Sequence, residues 1–179
     1  MLELLERRHD RQGFDCGEPA LNRFLTQTAR QSIAKGSSRT FVWTDSSGGR
    51  PNQILGFFTL ATDVVVTTEL ALPLARRYPG GRIPVVKLAR LAVDKDQRGA
   101  RLGRMLVWEA MKKAIQVHEA TGIAAFWVDA KNDEVAGFYR HLGFIPAEGK
   151  PLSLYMAIKT LTAGHQRLLQ TDNRESGWT

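Results

Sequence analysis

The segment Gln97-Arg98-Gly99-Ala100-Arg101-Leu102-Gly103 has the residue types and spacing best suited to chemistry. It follows Val85 to Val93, a run that is apolar apart from Lys87 and Arg90 and so suits a strand covered on both faces. It leads into Leu102, Met105, Leu106, Ala110, Ala114 and Val117, the spacing of one helical stripe. A loop that opens a helix turns free backbone N–H groups and the positive end of the dipole toward its guest. Three arginines within seven residues, Arg98, Arg101 and Arg104, add charge, so a phosphate is the natural ligand. Taken alone, the loop also fits an ordinary capped helix that follows a strand.

A second constellation lies further along, from Asn132 to Phe144, with Tyr139 at its centre. Its plain reading is a core tyrosine whose hydroxyl finds a backbone partner. The balance of charge favours the phosphate reading of the first segment. Net charge is +7, and between Arg76 and Arg104 nine basic residues face only Asp94 and Asp96, so this stretch alone carries a balance equal to that of the whole chain. An anionic partner is implied. The four histidines, His9, His118, His141 and His165, are scattered without ligand spacing, and the single cysteine, Cys16, excludes an internal disulfide, so no metal site is expected and a reducing cytoplasm is the default.

The elements that must position these residues can be read from periodicity and punctuation. An opening strand at the N-terminus precedes a helix begun near Pro19 and ended by Gly36. Arg39 to Thr44 and Gln53 to Asp63 read as strands joined by the turn-rich 45–51. Residues 64–81 are the least regular, with a short helix near Leu70 to Ala75. After the central strand and helix, Gly122 ends the helix, Ile123 to Ala130 is an apolar strand, and Asn132 to His141 is a short helix. Leu152, Leu154, Met156 and Ile158 alternate along a final strand. This order predicts an α/β (α+β) chain with a mixed sheet and parallel pairing at its centre. Residues 1–160 form one domain, residues 161–179 a polar tail, and no run is long enough to span a membrane.

The loop resembles the pyrophosphate loop of the GNAT superfamily of acyl-CoA-dependent N-acyltransferases. Arg98 and Gly103 match, while Arg101 stands where the first glycine is usual, so it must either accept a helical conformation or give up one close backbone approach. Asn132, Ala136, Tyr139, Gly143 and Phe144 match the far wall of the acyl-CoA groove in the same superfamily. The resemblance implies a central sheet splayed at its middle with helices on both faces, and acetyl-CoA as co-substrate. It implies cofactor contacts at Leu91, Ala92, Val93, Arg98, Gly99, Ala100, Arg101, Leu102, Gly103, Asn132 and Phe138. Tyr139 takes the catalytic part. Acetyl transfer from a thioester to an amine expels a thiolate whose conjugate acid has a pKa of about 8.5, and a protonated phenol can donate to the departing sulfur.

A narrower resemblance lies in Asp15-Cys16-Gly17, Leu21-Asn22, Phe24-Leu25, Gly56-Phe57-Phe58 and Leu88-Ala89-Arg90-Leu91-Ala92-Val93-Asp94. These are similar to the GNAT toxins of type II toxin–antitoxin systems, which acetylate the α-amino group of aminoacyl-tRNA. That resemblance implies a tRNA acceptor, a ribbon-helix-helix antitoxin and a homodimer; the alternatives are the same enzyme acting on a small amine or protein amine, and a protein that binds acyl-CoA or nucleic acid without catalysis, given the Arg101 departure. Arg76, Arg77, Arg82 and Arg90 are then candidates for the tRNA backbone. Arg90, inside an apolar strand, either faces the acceptor end or is paired structurally.

Overall fold

The computed structural model describes residues 1–45, 49–78, 80–99 and 101–175, with side chains described through 167. Seven strands run in the order β1-β2-β3-β4-β5-β7-β6 within one mixed sheet. They are β1 (Leu2–Leu4), β2 (Arg39–Thr44), β3 (Ile54–Val66), β4 (Arg82–Val93), β5 (Ala125–Asp129), β6 (Ile145–Ala147) and β7 (Lys150–Ala157). The helices are α1 (Pro19–Arg23), α2 (Ala29–Ala34), α3 (Leu72–Ala75), α4 (Leu102–Thr121), α5 (Asp133–His141) and α6 (Ile158–Glu175). The chain divides into two compact units, Met1–Thr62 with Lys87–Ala110, and Asp63–Val86 with Met111–Thr179.

In the first unit β1, β2 and β3 pair antiparallel, with Leu2 opposite Trp43 and Phe41 opposite Phe58. The Phe41 and Phe58 rings stack at 5.1 Å, and the buried hydroxyls of Thr40 and Thr59 share a 2.9 Å hydrogen bond across the same pair of strands. Leu5, Phe14, Phe24, Leu25, Val42, Ile54, Phe57 and Ala92 form its core. Each large side chain buried there stabilises by about 1.5–3 kcal/mol. The single helix expected before Gly36 is broken by a π-helical turn at Phe24–Thr28. The Arg11 guanidinium takes the Thr26 carbonyl at 2.7 Å, and the Thr26 hydroxyl bonds back to Asn22 at 3.0 Å, so neighbouring groups compete with the regular ladder.

In the second unit β7 lies antiparallel between β5 and β6. Trp127 sits opposite Tyr155 with the two rings stacked at 5.9 Å. Ile83, Val85, Leu70, Ala125, Trp127 and Tyr155 pack as its core. The irregular 64–81 resolves into the end of β3, a 3-10 turn at Thr67–Glu69, and α3. Buried Tyr155 accepts the Ala71 N–H at 2.8 Å, which ties α3 to the core. The last strand is one residue shorter than expected, because Ile158 opens α6 and donates its N–H to Ala124 at 3.0 Å. Helix α6 also occupies part of what reads in sequence as a polar tail. The rest of that tail, 176–179, and residues 46–48 of the turn-rich connection lie outside the described residues.

Along β4, burial changes phase between Val85 and Val86. Ile83 and Val85 are buried before that point, and Val86, Leu88 and Ala92 after it, so apolar side chains leave both faces.

Candidate active site

Helix α4 is preceded by a short 3-10 turn, Lys95–Gln97, capped by Asp94, whose Oδ1 accepts the Asp96 N–H at 3.0 Å. Arg98 is extended, Gly99 is left-handed at φ +85°, and α4 begins at Leu102. Ala100 lies outside the described residues. Arg101 has φ +57°. The residue therefore does not take the helical conformation that a side chain tolerates but sits in the left-handed region that favours glycine, at a cost of about 1–2 kcal/mol.

The start of α4 seats closely because of Gly56 on β3. A Cβ there would lie 2.8 Å from Leu106 Cδ1 and 3.1 Å from the Ala92 carbonyl oxygen. Gly103 is different. A Cβ there would meet only Val93 Cγ2 at 3.7 Å, an ordinary contact, so the protein's own packing does not require a glycine. With Gly99 in open space and Arg98 and Arg101 exposed, the loop turns backbone and positive charge outward, which fits a pyrophosphate. Leu91 and Val93 are half-buried and Ala92 is buried in the β4 segment that leads to the loop.

The loop is held from behind by residues the sequence reading did not single out for a role. Asp15 donates its N–H to Asp94 Oδ2 at 3.0 Å, and its carbonyl accepts the Lys95 N–H at 2.8 Å. Its carboxylate accepts from Lys95 Nζ at 2.9 Å, Asn22 Nδ2 at 2.7 Å and the Gly17 N–H at 2.9 Å. The Lys95 ammonium, then the Gly17 N–H and the Asn22 amide, hold this carboxyl far below the usual carboxylate range. Arg98 Nη2 donates to the Cys16 carbonyl at 2.7 Å, so part of its fork is structural, with other N–H groups left for a ligand. Burial pushes the Cys16 thiol up, which suits packing rather than nucleophilic attack. The only hint of this clamp in sequence was the resemblance carried by Asp15-Cys16-Gly17 and Asn22.

In the second unit Asn132 caps α5, its Oδ1 accepting the Val135 N–H at 2.9 Å. Asp133 and Glu134 at the start and Arg140 and His141 at the end complement the helix dipole. Gly143, at φ +93°, donates to the Arg140 carbonyl and closes the helix. Tyr139 is buried at 5% exposure, with its ring edge-on to Phe144 at 5.5 Å and to half-exposed Phe138 at 5.2 Å. Burial pushes the phenol up to about 12. Among the described residues none hydrogen-bonds its hydroxyl, which separates Tyr139 from a core tyrosine satisfied by a backbone partner.

Arg76, Arg77 and Arg82 are exposed. Arg90 is exposed as well, with its guanidinium 3.9 Å from the centroid of the Phe24 ring. Partial burial lowers its pKa, yet it stays charged. Arg90 is thus paired with an aromatic face, which leaves its N–H fork open to an acceptor. Among the described residues no group of three or more His, Cys, Asp or Glu is placed to hold a metal ion.

A family model described as Acetyltransferase (GNAT) family matches residues 13–144. The chain belongs to this family. Over 150 residues it is 33% identical to a tRNA-acetylating toxin of Mycobacterium tuberculosis, covering 84% of this chain and 87% of the relative. Among solved structures it is similar to AtaT complexed with acetyl-methionyl-tRNAfMet, with a TM-score of 0.84, 32% identity, and coverage of 91% and 97% of the two chains. A tyrosine-to-phenylalanine variant of the AtaT toxin bound to the C-terminus of the antitoxin AtaR and acetyl-CoA aligns with a TM-score of 0.73 and 33% identity, over 90% and 94% of the chains. Among the described residues no helix of this GNAT chain is long and apolar enough to cross a membrane.

Proposed function

We propose that this acetyltransferase moves the acetyl group of acetyl-CoA to the α-amino group of an aminoacyl-tRNA, and that it acts in the cytoplasm as the toxin of a toxin–antitoxin pair. The observation that carries this reading is the 33% identity to a tRNA-acetylating toxin over 84% of the chain. The outward-facing Arg98–Gly103 loop and the unpartnered hydroxyl of Tyr139, a residue whose ring is buried, support it.

The backbone N–H groups of residues 99–103, with Arg98 and Arg101, hold the pyrophosphate. Leu91, Ala92 and Val93 offer backbone groups to the pantetheine arm, and one of their N–H groups receives the developing oxyanion. Asn132 and Phe138 flank the thioester end, Asn132 with the amide hydrogens that its cap leaves free. The acceptor nitrogen forms its bond to the acetyl carbon, the carbon–sulfur bond breaks, and the proton lost from nitrogen balances the one gained by sulfur. Tyr139 Oη donates to that sulfur as it leaves. Arg76, Arg77, Arg82 and Arg90 face tRNA phosphates. The AtaT complex with AtaR supports an antitoxin partner, here of ribbon-helix-helix type, for a homodimeric toxin.

Labelled acetyl-CoA, incubated with total charged tRNA and the protein, should transfer label to the aminoacyl end. Tyr139→Phe removes one oxygen from a buried ring, so it should keep acetyl-CoA affinity and lose roughly 10²-fold in kcat. Wild-type kcat in that variant removes Tyr139 from its role. Label on small amines or protein amines with none on tRNA replaces the acceptor.

A further inference from the structure

The second unit contains a cavity of about 450 Å³ of which the proposed roles use only Arg77. Its floor is apolar, with Leu74, Ala124 and Ile158 among the lining residues. Its polar lining gathers Arg77 and Tyr78 from the segment after α3, His118 from the last turn of α4, and Lys159 and Thr160 from the first turn of α6. Arg77 and Lys159 are exposed, and among the described residues neither side chain has an ion-pair or hydrogen-bond partner. The hydroxyls of Tyr78 and Thr160 are likewise without partners among the described residues. His118 uses Nδ1 on Ile123, whose N–H lies 3.2 Å away, so its second ring nitrogen remains for a guest.

The volume falls within the roughly 300–1,000 Å³ of small-molecule sites, and an apolar floor with a few convergent polar groups is the usual make-up of such sites. Two cations without a protein partner at one cavity favour an anionic guest. An aromatic wall beside them suits a base or ribose rather than a bare ion. We propose that this cavity takes one nucleotide of the tRNA, with a phosphate on Arg77 and Lys159 and the nucleoside against Tyr78 and the apolar floor. The inference rests on the tRNA acceptor proposed above and adds a second, specific foothold distant in sequence from the loop that opens α4. Lys159 is the informative residue, because it lies outside the basic 76–104 stretch and no electrostatic reading of that stretch includes it.

The test measures binding of deacylated tRNA across a salt series for the wild type, Arg77→Ala, Lys159→Ala and the double variant. Lys35→Ala, an equal charge loss on the exposed end of α2, is the control for net charge. The Kd of the double variant should rise by roughly tenfold. The log–log salt slope should flatten by about 0.7 for each phosphate that is no longer neutralised, while the Lys35 variant stays near wild type. Acetyl-CoA affinity reports that the fold is kept. Slopes parallel to wild type, or an equal loss in Lys35→Ala, overturn the proposal. Adenosine 5′-monophosphate is the second probe: if it binds and the binding is lost in the double variant while tRNA affinity is unchanged, the guest is a free nucleotide and the RNA assignment falls. Acetylation of charged tRNA by wild type is assayed alongside. Its absence overturns the acceptor itself, whereas its presence with unchanged slopes overturns only this cavity's part in it.

Discussion

Burial strengthens the hold of Tyr139 on its proton, and the loop holds Arg101 in a backbone conformation that residues with a side chain seldom adopt. With its phenol pushed up to about 12, Tyr139 is protonated throughout the neutral range, so it is always available as a donor. The same shift limits what it can do. Complete proton transfer to a thiolate whose conjugate acid has a pKa of about 8.5 runs uphill by roughly 5 kcal/mol, so Tyr139 serves as a hydrogen-bond donor while the carbon–sulfur bond stretches, and the proton crosses only as the sulfur becomes basic. Arg101 holds a left-handed backbone that glycine adopts without cost. Arg101→Gly should therefore raise unfolding stability by about 1 kcal/mol, with the relief of strain partly offset by the freedom glycine gains in the unfolded chain. Its effect on acetyl-CoA affinity separates the two parts of the residue. If the backbone shape is what matters, affinity measured by calorimetry is unchanged; a loss of tenfold or more shows that the guanidinium itself holds a phosphate.

At the scale of elements, the phosphate loop depends on a segment far away in sequence. The Asp15 backbone and carboxylate together hold Asp94, Lys95 and Asn22, and the Cys16 carbonyl holds Arg98. Such a clamp fixes loop geometry rather than touching the reacting atoms. Asp15→Ala should raise the KM for acetyl-CoA by about tenfold and leave kcat at saturation near wild type, since the loop is used to bind and not to react. Asp15→Asn keeps acceptors for Gly17 and Asn22 and should recover much of that loss. Equal KM values in wild type and both variants would end the positioning role. The strand–loop–helix path through Val93, Arg98 and Leu102 was legible because its apolar pattern changes period at the loop. The clamp was not, because it joins residues about eighty positions apart, and each of its side-chain contacts has a backbone group or a common surface charge as its partner. The π turn at Phe24–Thr28 was hidden for the same reason, since it follows from Arg11 reaching a carbonyl.

On the scale of the whole molecule, the sheet was legible wherever apolar residues set a strand period, and lost where that period runs on into a helix. Ile158 continues the alternation of β7 and still donates its N–H to the Ala124 carbonyl next to β5, yet it is the first residue of α6. Nor does pattern alone disclose how charge is invested. The charged contacts that brace the first unit include two carboxylates. Burial raises Glu3, but hydrogen bonds from Arg8 and Thr44 and the His9 ring nitrogen 3.2 Å away more than reverse this and leave its pKa lowered, while Asp15 is lowered chiefly by Lys95. A carboxyl held low in the fold binds its proton more weakly there than in the unfolded chain. The stability it adds is complete above the ordinary carboxylate range, about pH 4 to 5, and drains away as the pH falls toward the folded value. Strands β5 and β7 are joined largely by apolar contacts such as the stacked Trp127 and Tyr155 rings, beside one carboxylate, Asp129, which accepts from Trp127 Nε1 at 2.9 Å and from the Ser153 hydroxyl at 2.7 Å. Hydrogen exchange compared at about pH 6 and about pH 3 should therefore show β1, β2 and residues 13–17 losing protection before β5 and β7. Loss that begins in β5 and β7, or that is simultaneous throughout, would show that these two carboxylates do not govern the acid limit of the fold.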